Sequence, residues 1–206
     1  MTIDTYIHQT AGGIAGGPLL FVFHGTGADE TQFLGLGKEL LPDATVIAPR
    51  GDVSEHGAAR YFRRTGEGVY DMADLARATD KMAGFVKAQR DAVNPSSVIG
   101  LGYSNGANIL ASVLFREPGL FDAAVLMHAL IPFEPKIEGS LAGTRVLMTA
   151  GRFDPICPAP LTEQLKGQLR AAGAEVDLAW HDGGHEVRPS ELNAMNTFLA
   201  AWRAAG

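Results

Sequence analysis

The chain has one cysteine, Cys157, among its 206 residues. No internal disulfide can form, and a reducing compartment is the default. No apolar run approaches the ~18 residues that a membrane-spanning helix needs, so no membrane span is expected. Lysines and arginines do not cluster, and 17 basic residues face 23 acidic ones for a net charge of −6. That balance argues against nucleic acid and anionic membrane surfaces as partners. The opening MTIDTYIHQT lacks the basic and apolar blocks of a secretory signal, which makes a cytoplasmic location the expectation. Internal repeats, linkers and low-complexity blocks are also missing. What remains is a chain with 46% hydrophobic and 19% charged residues, a balance that suits one soluble domain over residues 1–206.

Short aliphatic and β-branched runs recur along the chain: LLFVFHG (19–25), TVIAPRG (45–51), SVIGLGYS (97–104), AAVLMHAL (123–130), RVLMTAG (145–151) and EVDLAWH (175–181). Such runs read as strands buried on both faces. Helical patterns at 71–92, 105–117, 159–173 and 189–205 separate several of them, with Pro160 and Pro189 near two starts and Gly173 past one end. Alternation of this kind predicts an α/β fold with a mainly parallel central sheet flanked by crossover helices. The early YIHQT segment is a candidate antiparallel edge strand. Residues 51–70 and 131–144 are too long and irregular for simple connections, and long loops at the strand ends of such a sheet are where ligands bind.

Residues 100–108 read GLGYSNGAN. As a dinucleotide loop, G-x-G-x-x-G from Gly100 would need glycine where Asn105 stands. Taken from Gly102, the same stretch gives G-x-S-x-G, the nucleophile elbow, between a strand and a helix as that motif requires. Ser104 is the candidate nucleophile, and a serine hydroxyl needs a base and an orienting acid. Three histidines follow it. Gly183 and Gly184 give His185 the freedom to reach the serine, whereas His181 reads better as a strand-end residue. Asp154, just after RVLMTAG, fits as the acid in the order Ser, Asp, His. The turn after LLFVF, His24-Gly25-Thr26-Gly27, and the start of the next helix offer the backbone amides of Thr26 and Asn105 as an oxyanion hole. His24, His128, Arg60, Arg63 and Arg64 are candidates for contact with substrate; the arginines read somewhat better as a solvated basic loop or internal ion pairs to Glu67 and Asp71, and His128 reads at least as well as a satisfied half-buried histidine. The histidines lack paired metal-ligand spacing, so neither metal nor cofactor is expected.

With HGTG, GYSNG, GRFD and GGH in this order, the sequence resembles the phospholipase/carboxylesterase family of α/β-hydrolases, which includes the acyl-protein thioesterases. DPICPAP and GGHEVRPSEL strengthen the likeness, and AARYFRRTGEGVYDMADL resembles a bacterial carboxylesterase branch. The resemblance implies an α/β-hydrolase fold with a minimal cap and a Ser104, Asp154, His185 triad. It further implies Thr26 and Asn105 as oxyanion donors, a small-molecule ester as substrate, and a homodimer. The chain departs from the family in Tyr103, Asn105 and Cys157. Dienelactone hydrolases carry cysteine at the elbow, so the serine here counts against that relative. Cleavage of small or short-chain esters is the leading expectation. Long-chain thioesterase or lysophospholipase activity and a non-catalytic binding module are the alternatives.

Overall fold

A computed structural model describes residues 2–205. In chain order the elements are β1 (His8–Ala11), β2 (Leu19–Phe23), α1 (Leu34–Leu40), β3 (Thr45–Pro49), β4 (Val53–Glu55), β5 (Ala58–Arg60), β6 (Arg64–Gly66), β7 (Val69–Tyr70), α2 (Met72–Val93), β8 (Val98–Tyr103), α3 (Asn105–Arg116), β9 (Ala123–Met127), β10 (Arg145–Gly151), α4 (Ala159–Ala171), β11 (Glu175–His181) and α5 (Pro189–Ala205). Seven strands form one sheet in the order β1-β3-β2-β8-β9-β10-β11. β1 pairs antiparallel with β3, and every other pairing in this sheet is parallel. The chain therefore has the expected α/β-hydrolase architecture.

Burial explains why the runs become strands. All five residues of β2 and all five of β9 are buried, because helices cover both faces of the sheet. On one face Phe21 meets Phe85 of α2 and Phe121 edge-on, each with ring centroids 6.1 Å apart, and α3 and α4 complete the layer. On the other face Leu20, Val22 and Val125 pack with Met195, Phe198 and Leu199 of α5. Asp71 caps α2 by accepting the Asp74 N–H at 3.0 Å, and Asn94 ends that helix in the left-handed region.

Two features lie outside the sequence reading. Helix α1 reads LGLGKEL, too short and glycine-rich for a helical pattern to show. It is fixed by packing: a Cβ on Gly37 would come within 2.9 Å of Val46, so only glycine lets this helix lie so close to β3. The supposed loop 51–70 folds into two small antiparallel hairpins, β4-β5 and β6-β7. Their strands of two or three residues are below the length at which alternation can be read.

The chain leaves β2 to place β3 on one side and returns later to place β8 on the other. The order of strands reverses between β2 and β8, and the crevice beyond their carboxyl ends is where open α/β sheets bind ligands. No helix among the described residues is long and apolar enough to cross a membrane.

Candidate active site

β8 runs straight into α3 through Ser104, whose backbone adopts φ 52° and ψ −117°. A side chain in this conformation is strained and must be held by its surroundings. The flanking glycines make the hold sterically feasible. A Cβ on Gly102 would lie 2.6 Å from the Gly106 carbonyl oxygen, and one on Gly106 would lie 2.3 Å from the carbonyl oxygen of Phe23. The Ser104 N–H donates to the Met127 carbonyl at 2.9 Å, which fixes the turn to β9.

Ser104 Oγ lies 2.9 Å from Nε2 of His185, and Nδ1 of the same ring lies 2.7 Å from Oδ2 of Asp154. Asp154 is fully buried and acts only as an acceptor, so Nδ1 carries the hydrogen and Nε2 is free to accept the serine proton. The other carboxylate oxygen, Oδ1, accepts from the N–H groups of Ile156 and Cys157 at 2.8 and 2.9 Å. Burial alone would raise the Asp154 carboxyl. The donors Cys157, His128, His185 and Ile156 outweigh it and hold the group below the ordinary carboxylate value. The arrangement can transfer a proton from a hydroxyl to an imidazole and stabilise the resulting cation.

Ser104 and His185 open onto a cavity of about 230 Å³ lined also by Thr26, Asn105, Asn108, Arg60, Arg64, Glu67, Tyr70, Leu130, Ile156 and Cys157. Thr26 follows β2, and Asn105 opens α3, where a first-turn amide has no acceptor within its own helix. The Asn105 side chain does a different job: its Oδ1 accepts the Tyr61 N–H at 2.9 Å and ties the hairpin segment to the elbow. Arg60 is buried and donates to Thr26 Oγ1 at 2.7 Å. Arg64 pairs with Glu55 and Glu67 at 2.9 and 2.6 Å. Two arginines and two glutamates thus line or adjoin one wall with no net charge.

Three of the expected substrate contacts are not brought to this cavity. Arg63 points away and meets Asp71 and Asp74 at 3.3 and 3.1 Å. His24 is buried beneath the wall, where Nδ1 meets the Gly25 carbonyl at 2.7 Å and Nε2 accepts the Gly51 N–H at 2.9 Å. Burial holds its ring below the ordinary histidine value, so it stays neutral as that acceptor role requires. His128 is wholly buried behind Asp154, with Nδ1 2.8 Å from Oδ2, because a left-handed residue at φ 52° turns its ring inward from the end of β9.

Other parts of the site went unread in the sequence. Tyr103 donates to the His185 carbonyl at 2.7 Å and lays its ring beside the imidazole, with centroids 5.4 Å apart. Asn108 receives the Leu130 N–H and donates to the Tyr70 hydroxyl, joining three parts of the cavity wall. Glu191 accepts the Arg188 N–H at 2.7 Å and the Thr149 hydroxyl at 2.6 Å. Its backbone bond is half of a capping box, and Pro189 two residues earlier was the available signal. His128, His181 and Glu191 form a buried set whose side-chain nitrogen and oxygen atoms all lie within 4.8 Å of one another, as do His128, Asp154 and His185. Either set is close enough to share a proton.

The sequence pattern of the dienelactone hydrolase family matches residues 55–187, a stretch that contains Ser104, Asp154 and His185. The chain belongs to the dienelactone hydrolase family. The serine at the elbow, which set the chain apart from that relative on sequence alone, therefore does not exclude it. Within this family setting the chain is 39% identical over 175 residues to MhqD of Bacillus subtilis (strain 168), named only as a hydrolase, covering 84% of this chain and 88% of that one. The crystal structure of Atu2452 from Agrobacterium tumefaciens str. C58, a protein of unknown function, superposes with TM-score 0.94 at 61% identity over 98% of both chains. A Bacillus cereus carboxylesterase superposes with TM-score 0.89 at 34% identity over 94% of this chain and 93% of that one. The family and these likenesses make the protein a hydrolase of the dienelactone hydrolase and carboxylesterase type.

Proposed function

We propose that the protein cleaves carboxylic esters of small molecules through an acyl-enzyme. One observation carries this reading: the unbroken line from Ser104 Oγ through both nitrogens of His185 to Asp154, opening on the cavity. Ser104 attacks the ester carbonyl while His185 Nε2 takes its proton. Asp154 holds the ring in the tautomer that can do so and stabilises the imidazolium. The amides of Thr26 and Asn105 receive the developing oxyanion, with the first turn of α3 adding its positive end. His185 then returns the proton to the departing alcohol, and water repeats the cycle to release the acid.

Cavity size supports the small-ester preference, since about 230 Å³ is below the ~300–1,000 Å³ of typical ligand pockets. A long acyl chain would have to run outside it. The cancelled charges on the arginine wall fit a polar or neutral substrate better than a strongly anionic one.

Hydrolysis of p-nitrophenyl acetate, butyrate, octanoate and palmitate by wild type and Ser104→Ala tests the proposal. Turnover is expected to fall with chain length and to drop about a thousandfold or more in the variant. A loss of only about tenfold would refute Ser104 as nucleophile. A rise toward palmitate would favour the long-chain reading, and inactivity of folded wild type on every ester, without labelling by a fluorophosphonate, would favour a binding module.

A further inference from the structure

Asp154 carries more than an orienting acid needs. Its Oδ2 receives two imidazoles, His185 Nδ1 at 2.7 Å and His128 Nδ1 at 2.8 Å. Because the carboxylate is an acceptor, His128 Nδ1 carries a hydrogen, and its second nitrogen then decides its charge. That nitrogen, Nε2, lies 3.1 Å from Oε1 of Glu191, an approach bent away from the line of an aligned hydrogen bond. In a neutral ring it would turn a lone pair toward a carboxylate, both wholly buried, a contact that costs free energy without return. A proton on Nε2 turns the same contact into an ion pair using atoms already in place. Glu191 cannot rotate away, since its oxygens are held by Thr149 and by the Arg188 N–H.

We infer that His128 is a positioning residue, a buried imidazolium held between Asp154 and Glu191 that anchors the triad carboxylate and offsets part of its charge. The inference rests on the proposed triad for its effect on catalysis, though the charge on His128 stands independently of it. The groups facing the ring are Asp154 after β10, Glu191 on α5, His181 at the end of β11, His185, Tyr103 on β8, and Cys157, whose Sγ donates to the His128 carbonyl at 3.0 Å. Burial opposes a charge on His128, but Glu191 and Asp154 outweigh it and hold the ring above the ordinary histidine value. The two carboxylates are the only acidic groups among these neighbours whose charge favours the cation.

The consequence for catalysis has a definite sign. The His128 and His185 rings have centroids 5.0 Å apart and share Asp154 Oδ2, so the cation fixes the carboxylate that orients His185. Replacing the cation by a neutral donor should lower kcat by about tenfold with KM little changed, because the base is displaced and the substrate contacts are not.

Two measurements test the inference together. In wild-type protein at about pH 6.5, where a free histidine is half titrated, 15N spectra should show both His128 ring nitrogens protonated. His128→Asn keeps an N–H donor for Asp154 and tolerates the left-handed backbone, and its kcat should fall about tenfold while KM changes little. Glu191→Gln, which keeps an acceptor for the Arg188 N–H, should lower kcat in the same way. A neutral His128 with one unprotonated nitrogen overturns the inference, as does an unchanged kcat in folded His128→Asn enzyme. Stoichiometric metal bound by His128, His181 and Glu191 in the purified protein overturns it as well. Absence of Ser104-dependent turnover would refute the esterase reading alone, since the wild-type spectra still decide the charge on His128.

Discussion

Replacing Gly106 by alanine adds one methyl group at the closest approach in the elbow. The new Cβ would lie 2.3 Å from the Phe23 carbonyl oxygen and 2.5 Å from that of His24. Neither obstacle can rotate away. Both are backbone atoms at the end of a central strand, so α3 and β2 must separate by most of an ångström. Overpacking of side chains costs ~1–3 kcal/mol, and a backbone obstacle belongs at the upper end, about 3 kcal/mol. For a chain of this size that corresponds to a fall in Tm of about 6–12 °C. Gly167→Ala is the matched control, because Gly167 lies in the exposed face of α4 with nothing within 4 Å of the added carbon. There the same methyl group should stabilise by about 0.5–1 kcal/mol through helix propensity. Urea denaturation and thermal melting of both variants, with ester turnover measured alongside, make the assay. Gly106→Ala should also lose at least about tenfold in kcat/KM, since the Thr26 and Asn105 amides move apart with the two elements. If it unfolds at the wild-type urea concentration, the close packing of α3 on β2 is wrong, and with it the account of how Ser104 is held.

Asn105→Ala keeps the backbone amide but strips the acceptor from the buried Tyr61 N–H, and should cost about 1–3 kcal/mol in urea denaturation while kcat falls far less than in Ser104→Ala. Cys157, buried and with its thiol pushed well up by that burial, should resist alkylation by iodoacetamide in the folded protein and react fully in denaturant, as read by mass spectrometry. His128, held above its ordinary value of 6.5, contributes stability that is complete below that value and is lost as pH rises through the folded one. Wild type should therefore lose unfolding free energy on the alkaline side, a loss that His128→Asn lacks. Asp154 runs the other way: its depressed value contributes stability above the ordinary carboxylate range that is lost as pH falls through the folded one. Acid unfolding of Asp154→Asn should begin from lower stability and be correspondingly shallower.

Strands buried on both faces were legible because they are unbroken apolar runs, and β2, β3, β8, β9 and β10 all fall within the predicted spans. The predicted runs overshoot at their carboxyl ends, where His24, Ser104 and His128 leave the sheet. Only the overshoot at Ser104 reaches the cavity, since His24 and His128 turn into the protein interior. The order of Ser104, Asp154 and His185 was readable because each follows a strand with a turn residue beside it. Helix α1 and the two hairpins were not, because they are too short for a hydrophobic period to show. The partnership of His128 with Glu191 is hidden for another reason: one residue follows β9, the other lies in the first turn of α5, and only the folded sheet brings them together.

The cavity is assembled from parts of different pedigree. Ser104, His185 and Asp154 stand on turns after sheet strands, where any shift must move the core. Arg60, Arg64, Glu67 and Tyr70 belong to the hairpin segment, whose middle is anchored by the buried Tyr61 and Phe62 and by the bond from the Tyr61 N–H to Asn105. The two hairpin tips on either side of that anchor carry few such ties. Selection can lengthen, shorten or recharge them while the anchor and the sheet stay fixed, so divergence among proteins on this frame should concentrate in residues 51–58 and 64–70.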